Sequence, residues 1–187
     1  MTKSKKEEEV VPDSKLEGLP GLTVKGVLQK EVVRLDLGGG TKPTEGYVNI
    51  DVQYYPGVDL MLDVTKLDEY FPAKSVDAIM CRDTLQCFPY SQIRGILKRW
   101  QKVLKPRSRL VIQCYDINQI LEQFSKRVID SNRFKLLVYG KQSNEHTTYR
   151  NCFDEEYLVN LLQLSGFTIQ EVTHPEMRIK VVAIREK

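Results

Sequence analysis

The sequence predicts an open α/β fold with a mostly parallel sheet, and three observations carry that reading. Val32-Val33-Arg34-Leu35-Asp36-Leu37 runs directly into Gly38-Gly39-Gly40, the pattern of a buried strand that ends in a tight turn. Beyond it, apolar runs of strand length alternate with segments of helical periodicity. The last two apolar runs bracket Thr173-His174-Pro175-Glu176-Met177, which is too short for a helix and predicts a terminal antiparallel pair.

The glycine turn belongs at the carboxyl edge of the sheet, where such folds hold ligands, and it lets a ligand lie against bare main chain. A dinucleotide fingerprint needs a small residue where Pro43 stands, and a phosphate loop needs an order of Lys and Ser/Thr that Gly40-Thr41-Lys42-Pro43 lacks. Both phosphate-cradling alternatives are therefore weak. What remains is Asp36-x-Gly38-x-Gly40, with Gly39 between, and acids at the next two strand ends: Asp51 after Tyr47-Val48-Asn49-Ile50, and Asp63 after Asp59-Leu60-Met61-Leu62. A carboxylate at the second strand end can accept hydrogen bonds from ribose hydroxyls, and one at the third can reach an adenine amino group. The implied ligand carries ribose and adenine without a phosphate requirement.

The later elements follow in order. Ser91 can cap a helix whose apolar positions Ile93, Ile96, Leu97, Trp100, Val103 and Leu104 recur at helical spacing, with Pro106 as its stop. Trp100 is thus a core residue before it is a stacking platform. Residues 109–114 read as a strand, and Asp116 can cap a helix with Ile117, Ile120, Leu121, Phe124 and Val128 on one face. Asp154 opens a last helix with Tyr157, Leu158, Leu161 and Leu162 inward, and Gly166 stops it.

With 187 residues, 41% hydrophobic and 28% charged, the chain suits one compact domain with an ordinary core. Residues 1–25, with Lys3, Lys5 and Lys6 before Glu7, Glu8 and Glu9, lack apolar periodicity and read as a charged disordered tail; 26–187 read as the single domain. A net charge of +3 gives no case for nucleic acid, and the patch Lys98, Arg99, Lys102, Lys105, Arg107 and Arg109 reads as a solvated helix face. No stretch suits a membrane span or secretory signal, so the cytoplasm is the expected compartment and no membrane is expected as a partner. Four cysteines without a C-x-x-C pair make a metal site unexpected, and Cys81 and Cys114 read as small buried hydrophobes.

Several segments together resemble the small class I methyltransferases that use S-adenosylmethionine, of the type 11-like group. These are Leu35-Asp36-Leu37-Gly38-Gly39-Gly40, Gly46-Tyr47-Val48-Asn49-Ile50-Asp51, Asp63-Val64-Thr65-Lys66-Leu67, Ser75-Val76-Asp77-Ala78-Ile79, Trp100 with Val103-Leu104-Lys105-Pro106, and Phe153-Asp154-Glu155-Glu156-Tyr157-Leu158. The resemblance spans residues 32–187. It implies a Rossmann-like sheet of seven strands with the last reversed, and S-adenosyl-L-methionine as cofactor. Asp36, Gly38, Gly39 and Gly40 would meet its methionine end, Asp51 the ribose, and Asp63 with Val64 the adenine. Only fifteen positions separate Asp36 from Asp51, against about 20 in a full βαβ unit, so the first βα connection is shortened.

The acceptor side departs from the family. Cys81-Arg82-Asp83-Thr84-Leu85-Gln86-Cys87 carries Asp83 and Cys87 where the family usually has histidines and Gln86 where it has glutamate; Arg107-Ser108 replaces two glycines. Asp83 is a candidate replacement base, or else pairs with Arg82 or a helix end. His146, in the polar stretch 140–151 that reads as a lid, is the other candidate catalytic group. The expected activity is methyl transfer to a small-molecule or sugar-like acceptor. A non-catalytic member of the fold, binding cofactor or a protein partner, is the alternative.

Overall fold

The computed structural model describes residues 22–186. Strands β1 (Arg34–Leu37), β2 (Val48–Asp51), β3 (Leu60–Met61), β4 (Val76–Arg82), β5 (Leu104–Tyr115), β6 (Phe167–Thr173) and β7 (Arg178–Arg185) form one sheet in the order β3-β2-β1-β4-β5-β7-β6. All neighbours are parallel except β7, which runs antiparallel to both β5 and β6. The reversed last strand is thus present, inserted between its neighbours. No helix separates β1 from β2, as Pro43 and Gly46 in a short connection require.

The helices are α1 (Val24–Leu28), α2 (Leu67–Tyr70), α3 (Tyr90–Val103), α4 (Ile117–Ser125), α5 (Ser131–Tyr139) and α6 (Glu155–Leu164). Among the described residues no helix is long and apolar enough to cross a membrane. Trp100 of α3, Phe71, Phe153 and Phe167 are fully buried with the β1, β4 and β5 side chains in one core. Cys81 and Cys114 lie in that core as small apolar groups.

Several boundaries differ from the sequence reading. Thr23 caps α1, Val24 and Val27 are buried, and Leu22 packs on the core, so residues 22–25 belong to the folded body rather than to the tail. The remainder of the expected tail, 1–21, lies outside the described residues. Pro89, not Ser91, holds the N-cap position of α3, because Pro fixes the φ that a helix entry needs. The helix ends at Val103, before Pro106. β5 already begins at Leu104, and its register jumps from Val76–Leu104 to Ala78–Arg109, so Lys105 to Ser108 bow out. Arg107 takes φ +63° in that bow, a conformation that favours the glycine it replaces.

Of the apolar face expected on the helix after Asp116, only Ile120 is fully buried; Leu121 and Phe124 are exposed, and Val128 lies beyond the end of α4. A separate helix, α5, follows after Asp130, whose carboxylate caps it. The basic patch along α3 is held locally: Arg99 and Lys102 meet Asp68, and Lys105 meets Asp77.

Candidate functional site

The carboxyl ends of β1, β2, β4 and β5 open into a cleft of about 760 Å³, within the usual size of a small-molecule site. Gly38 starts its floor. Its N–H donates to Ile50 across 2.7 Å, its φ is +73°, and a Cβ there would collide with Thr84 Oγ1. Gly39 is equally constrained, since a Cβ would collide with Asn49 Oδ1. The turn therefore presents backbone to the cleft by steric necessity.

Two buried polar residues hold that turn. Asp36 is fully buried, and its Oδ2 accepts from the Thr44 N–H at 2.6 Å and from Arg82 Nη2 at 3.2 Å. It lies beneath the turn, is not among the residues that wall the cleft, and braces the turn from below. Its neighbour in register, Asn49, is also fully buried. The Asn49 amide donates to the carbonyls of Gly40 at 2.9 Å and Gly57 at 2.8 Å. Sequence reading passed over Asn49, although a polar side chain in the middle of an apolar strand was a signal.

Gly38, Gly39, Gly40, Asp51, Asp63 and Val64 all line the cleft. Burial raises the Asp51 carboxyl above the usual range, against the opposing N–H groups of Gln53, Gly40 and Val52. Asp63 Oδ1 accepts from Thr65 N at 2.9 Å and Thr65 Oγ1 at 2.6 Å, which fixes the carboxylate at the end of β3. The Val64 carbonyl accepts from the buried Trp100 indole N–H at 2.8 Å.

On the other side, Asp83 also lines the cleft, but its partner is Arg178 of β7 and not Arg82, which Asp36 engages. Arg178 Nε reaches both Asp83 oxygens at 3.2 Å and Nη2 reaches Oδ2 at 2.9 Å. The same guanidinium lies 4.3 Å from the centre of the Tyr115 ring and donates to its hydroxyl at 2.8 Å. Asp83 takes φ +52°, which Asp tolerates better than most residues. Arg178 escaped the sequence reading because nothing local marks it.

His146 sits on the strap from Gly140 to Asn151, which crosses the mouth. The strap closes on itself through the Gly140–Thr148 bridge, and Asn144 Nδ2 reaches Gln53 Oε1 at 3.3 Å. His146 lines the cleft on the Asp51 side, with Glu145 3.5 Å away. Towards Asp83 the strap contributes Tyr149 and Arg150; the N–H groups of Arg150 and Asn151 both donate to the Gln86 carbonyl. Burial pushes the Cys87 thiol up to about 11, with Arg150 pulling the other way. Burial, with Asp83 next, also raises the Tyr149 hydroxyl well above its usual range. Among the described residues no group of His, Cys, Asp and Glu is arranged to hold a metal ion.

Comparison with known proteins agrees with this fold. Residues 31–112 match the family model of the methyltransferase domain. A solved S-adenosylmethionine-dependent methyltransferase of Methanosarcina mazei is 20% identical with a TM-score of 0.58, over 87% of this chain and 96% of that one. The 1,6-didemethyltoxoflavin N1-methyltransferase of Burkholderia thailandensis, solved with its substrate and S-adenosylhomocysteine, is 17% identical with a TM-score of 0.59, over 86% and 73%. A putative S-adenosylmethionine-dependent methyltransferase of Listeria monocytogenes gives 13% identity and a TM-score of 0.58, over 88% and 96%. No curated protein matches the sequence significantly. At these identities the structural likeness establishes the fold, which is that of the class I S-adenosylmethionine-dependent methyltransferases. Within it, residues 31–112 are the part that resembles the methyltransferase-domain model.

Proposed function

We propose that the protein is an S-adenosylmethionine-dependent methyltransferase of the cytoplasm that acts on a small-molecule or sugar-like acceptor. One observation carries the reading: a side-chain-free turn, the Asp51 carboxylate and the Asp63–Val64 segment face a single cleft in the order that methionine, ribose and adenine require. The residues fit the cofactor. Any Cβ at Gly38 or Gly39 would clash within the protein itself, so the open backbone at the turn is built in. Gly38, Gly39 and Gly40 would hold the methionine end, Asp51 the ribose hydroxyls, and Asp63 with Val64 the adenine.

The cofactor supplies an electrophilic methyl group. The chain's task is to orient the acceptor against it and exclude water, and such positioning is worth roughly 7–11 kcal/mol without a covalent step. Tyr149 and Arg150 of the strap, with Asp83 and Arg178 opposite, wall the acceptor end. Asp83 orients the Arg178 guanidinium there. A binding role without turnover is the second reading, and the engagement of Asp83 by Arg178 favours it.

Titration calorimetry with S-adenosylhomocysteine tests the primary reading. Asp51→Ala should weaken binding by about 1.5–3 kcal/mol, the scale of a hydrogen bond to a charged group. Equal affinity in wild type and variant would remove Asp51 from the site. Cofactor binding with no labelled methyl transferred to any compound in a broad screen would favour the binding-only role.

A further inference from the structure

We propose that the acceptor enters this cleft as a carboxylate, that Arg150 is its counter-ion and sets specificity for it, and that the product is a methyl ester. The inference rests on the methyltransferase reading above and narrows its acceptor.

The charges of the cleft carry it. Arg82 is engaged by Asp36 and Arg178 by Asp83, whereas Lys42, Lys141 and Arg150 line the same cleft without a carboxylate partner among the described residues. The remaining acids do not offset them at the acceptor end: Asp51 and Asp63 stand at the ends of β2 and β3, and Glu145 faces His146. Arg150 is the cation at the acceptor end whose main chain is held there, with its side chain exposed and free to meet a ligand. Its own N–H donates to the Gln86 carbonyl at 2.8 Å, beside Cys87, whose thiol feels the Arg150 charge. An unpaired guanidinium whose backbone is anchored is suited to a planar oxyanion, which it can grip through two parallel hydrogen bonds. A protonated amine would meet repulsion at the same place.

The second line of argument is the lack of a free base there. Asp83 is held in a fork by Arg178. His146 lies on the Asp51 side of the strap, while Cys87 and Tyr149 keep their protons at neutral pH. A hydroxyl acceptor would have to lose a proton to one of these groups. A carboxylic acid, with an ordinary pKa of about 4, arrives ionised. Its oxygen lone pair forms the bond to the methyl carbon as the carbon–sulfur bond breaks and its electron pair stays on sulfur. The products are a neutral ester and a thioether, and no proton moves.

The test uses full-length protein with S-adenosylhomocysteine, titrated with benzoate, benzamide and benzyl alcohol by ligand-observed NMR. Benzoate should bind about tenfold or more tightly than either neutral probe, and Arg150→Gln should abolish that preference while cofactor affinity holds; Arg150→Lys should restore part of it. In a second arm, a panel of carboxylic acids is incubated with methyl-labelled S-adenosylmethionine, and the label should be released as methanol by alkali. Equal binding of benzoate and benzamide, an Arg150→Gln variant that keeps the preference, or an alkali-stable methyl product would overturn the carboxylate inference alone. Failure of wild type to bind S-adenosylhomocysteine would overturn the methyltransferase reading beneath it.

Discussion

Trp100 and Val64 are joined by a buried hydrogen bond, indole N–H to carbonyl oxygen, across 36 positions of sequence. The bond ties α3, which carries much of the core, to the segment proposed to meet adenine. Trp100→Phe keeps most of the ring volume but leaves the Val64 carbonyl without its donor. The expected loss is about 1–3 kcal/mol of stability, read by urea denaturation, with a smaller loss of cofactor affinity. An unchanged unfolding midpoint would show that the bond contributes nothing.

Asp51 is expected to trade stability for binding. Its folded-state pKa is raised above 3.8 by burial, so folding favours its protonated form. The stability it contributes is complete below the unfolded pKa and is lost as pH rises through the folded one. Asp51→Asn removes that dependence. At neutral pH the ligand-free variant should melt at a higher temperature than wild type while binding S-adenosylhomocysteine more weakly. The two melting curves should converge in acid, which differential scanning calorimetry across pH would reveal.

Asp83→Asn separates positioning from proton transfer. Asparagine tolerates the positive φ, and the substitution removes the charge that holds Arg178. We expect a stability loss of about 1–3 kcal/mol with cofactor affinity unchanged. Methyl transfer to an already ionised acceptor should fall only modestly. Complete loss of transfer in a stably folded variant would assign the base role to Asp83 itself.

The amino-terminal boundary can be placed by truncation. Removal through Leu28 deletes the buried Val24 and Val27, each worth about 1.5–3 kcal/mol on burial, and should lower the melting temperature by many degrees. Removal of residues 1–21 deletes no periodic apolar face and should change it little. Equal melting temperatures for the two truncations would mean that α1 does not support the core.

Local patterns made much of the fold legible. Val32 to Gly40 announced β1 and its turn, and Asp154 with Gly166 bounded α6, because caps and glycine stops act on neighbouring residues. The cleft-lining acids Asp51 and Asp63 were legible for the same reason, as residues that end strands. Asp36 was assigned to the methionine end from its place before the turn, whereas its full burial was not legible, because position in a strand does not reveal which way a side chain points. Arg178 was invisible: it meets Asp83 from 95 positions away, and only the antiparallel pairing of β7 on β5 sets it opposite Tyr115. The α4 face misled because helical spacing marks residues that can be buried, and α5 covers only part of them.

The insertion of β7 between β5 and β6 has a consequence for how the chain is built. β6 makes no ladder with β5, so it joins the sheet only through β7, a strand synthesised after it. During translation, the edge of β5 from Arg109 to Tyr115 stays open until residues 178–185 leave the ribosome. An open edge strand is a template for pairing with other chains, and this one is largely apolar. On the proposed reading, Arg178 of the acceptor end is therefore synthesised after the turn and acids of the cofactor end. The residues assigned to a nucleoside thus precede in synthesis those that would choose what to methylate.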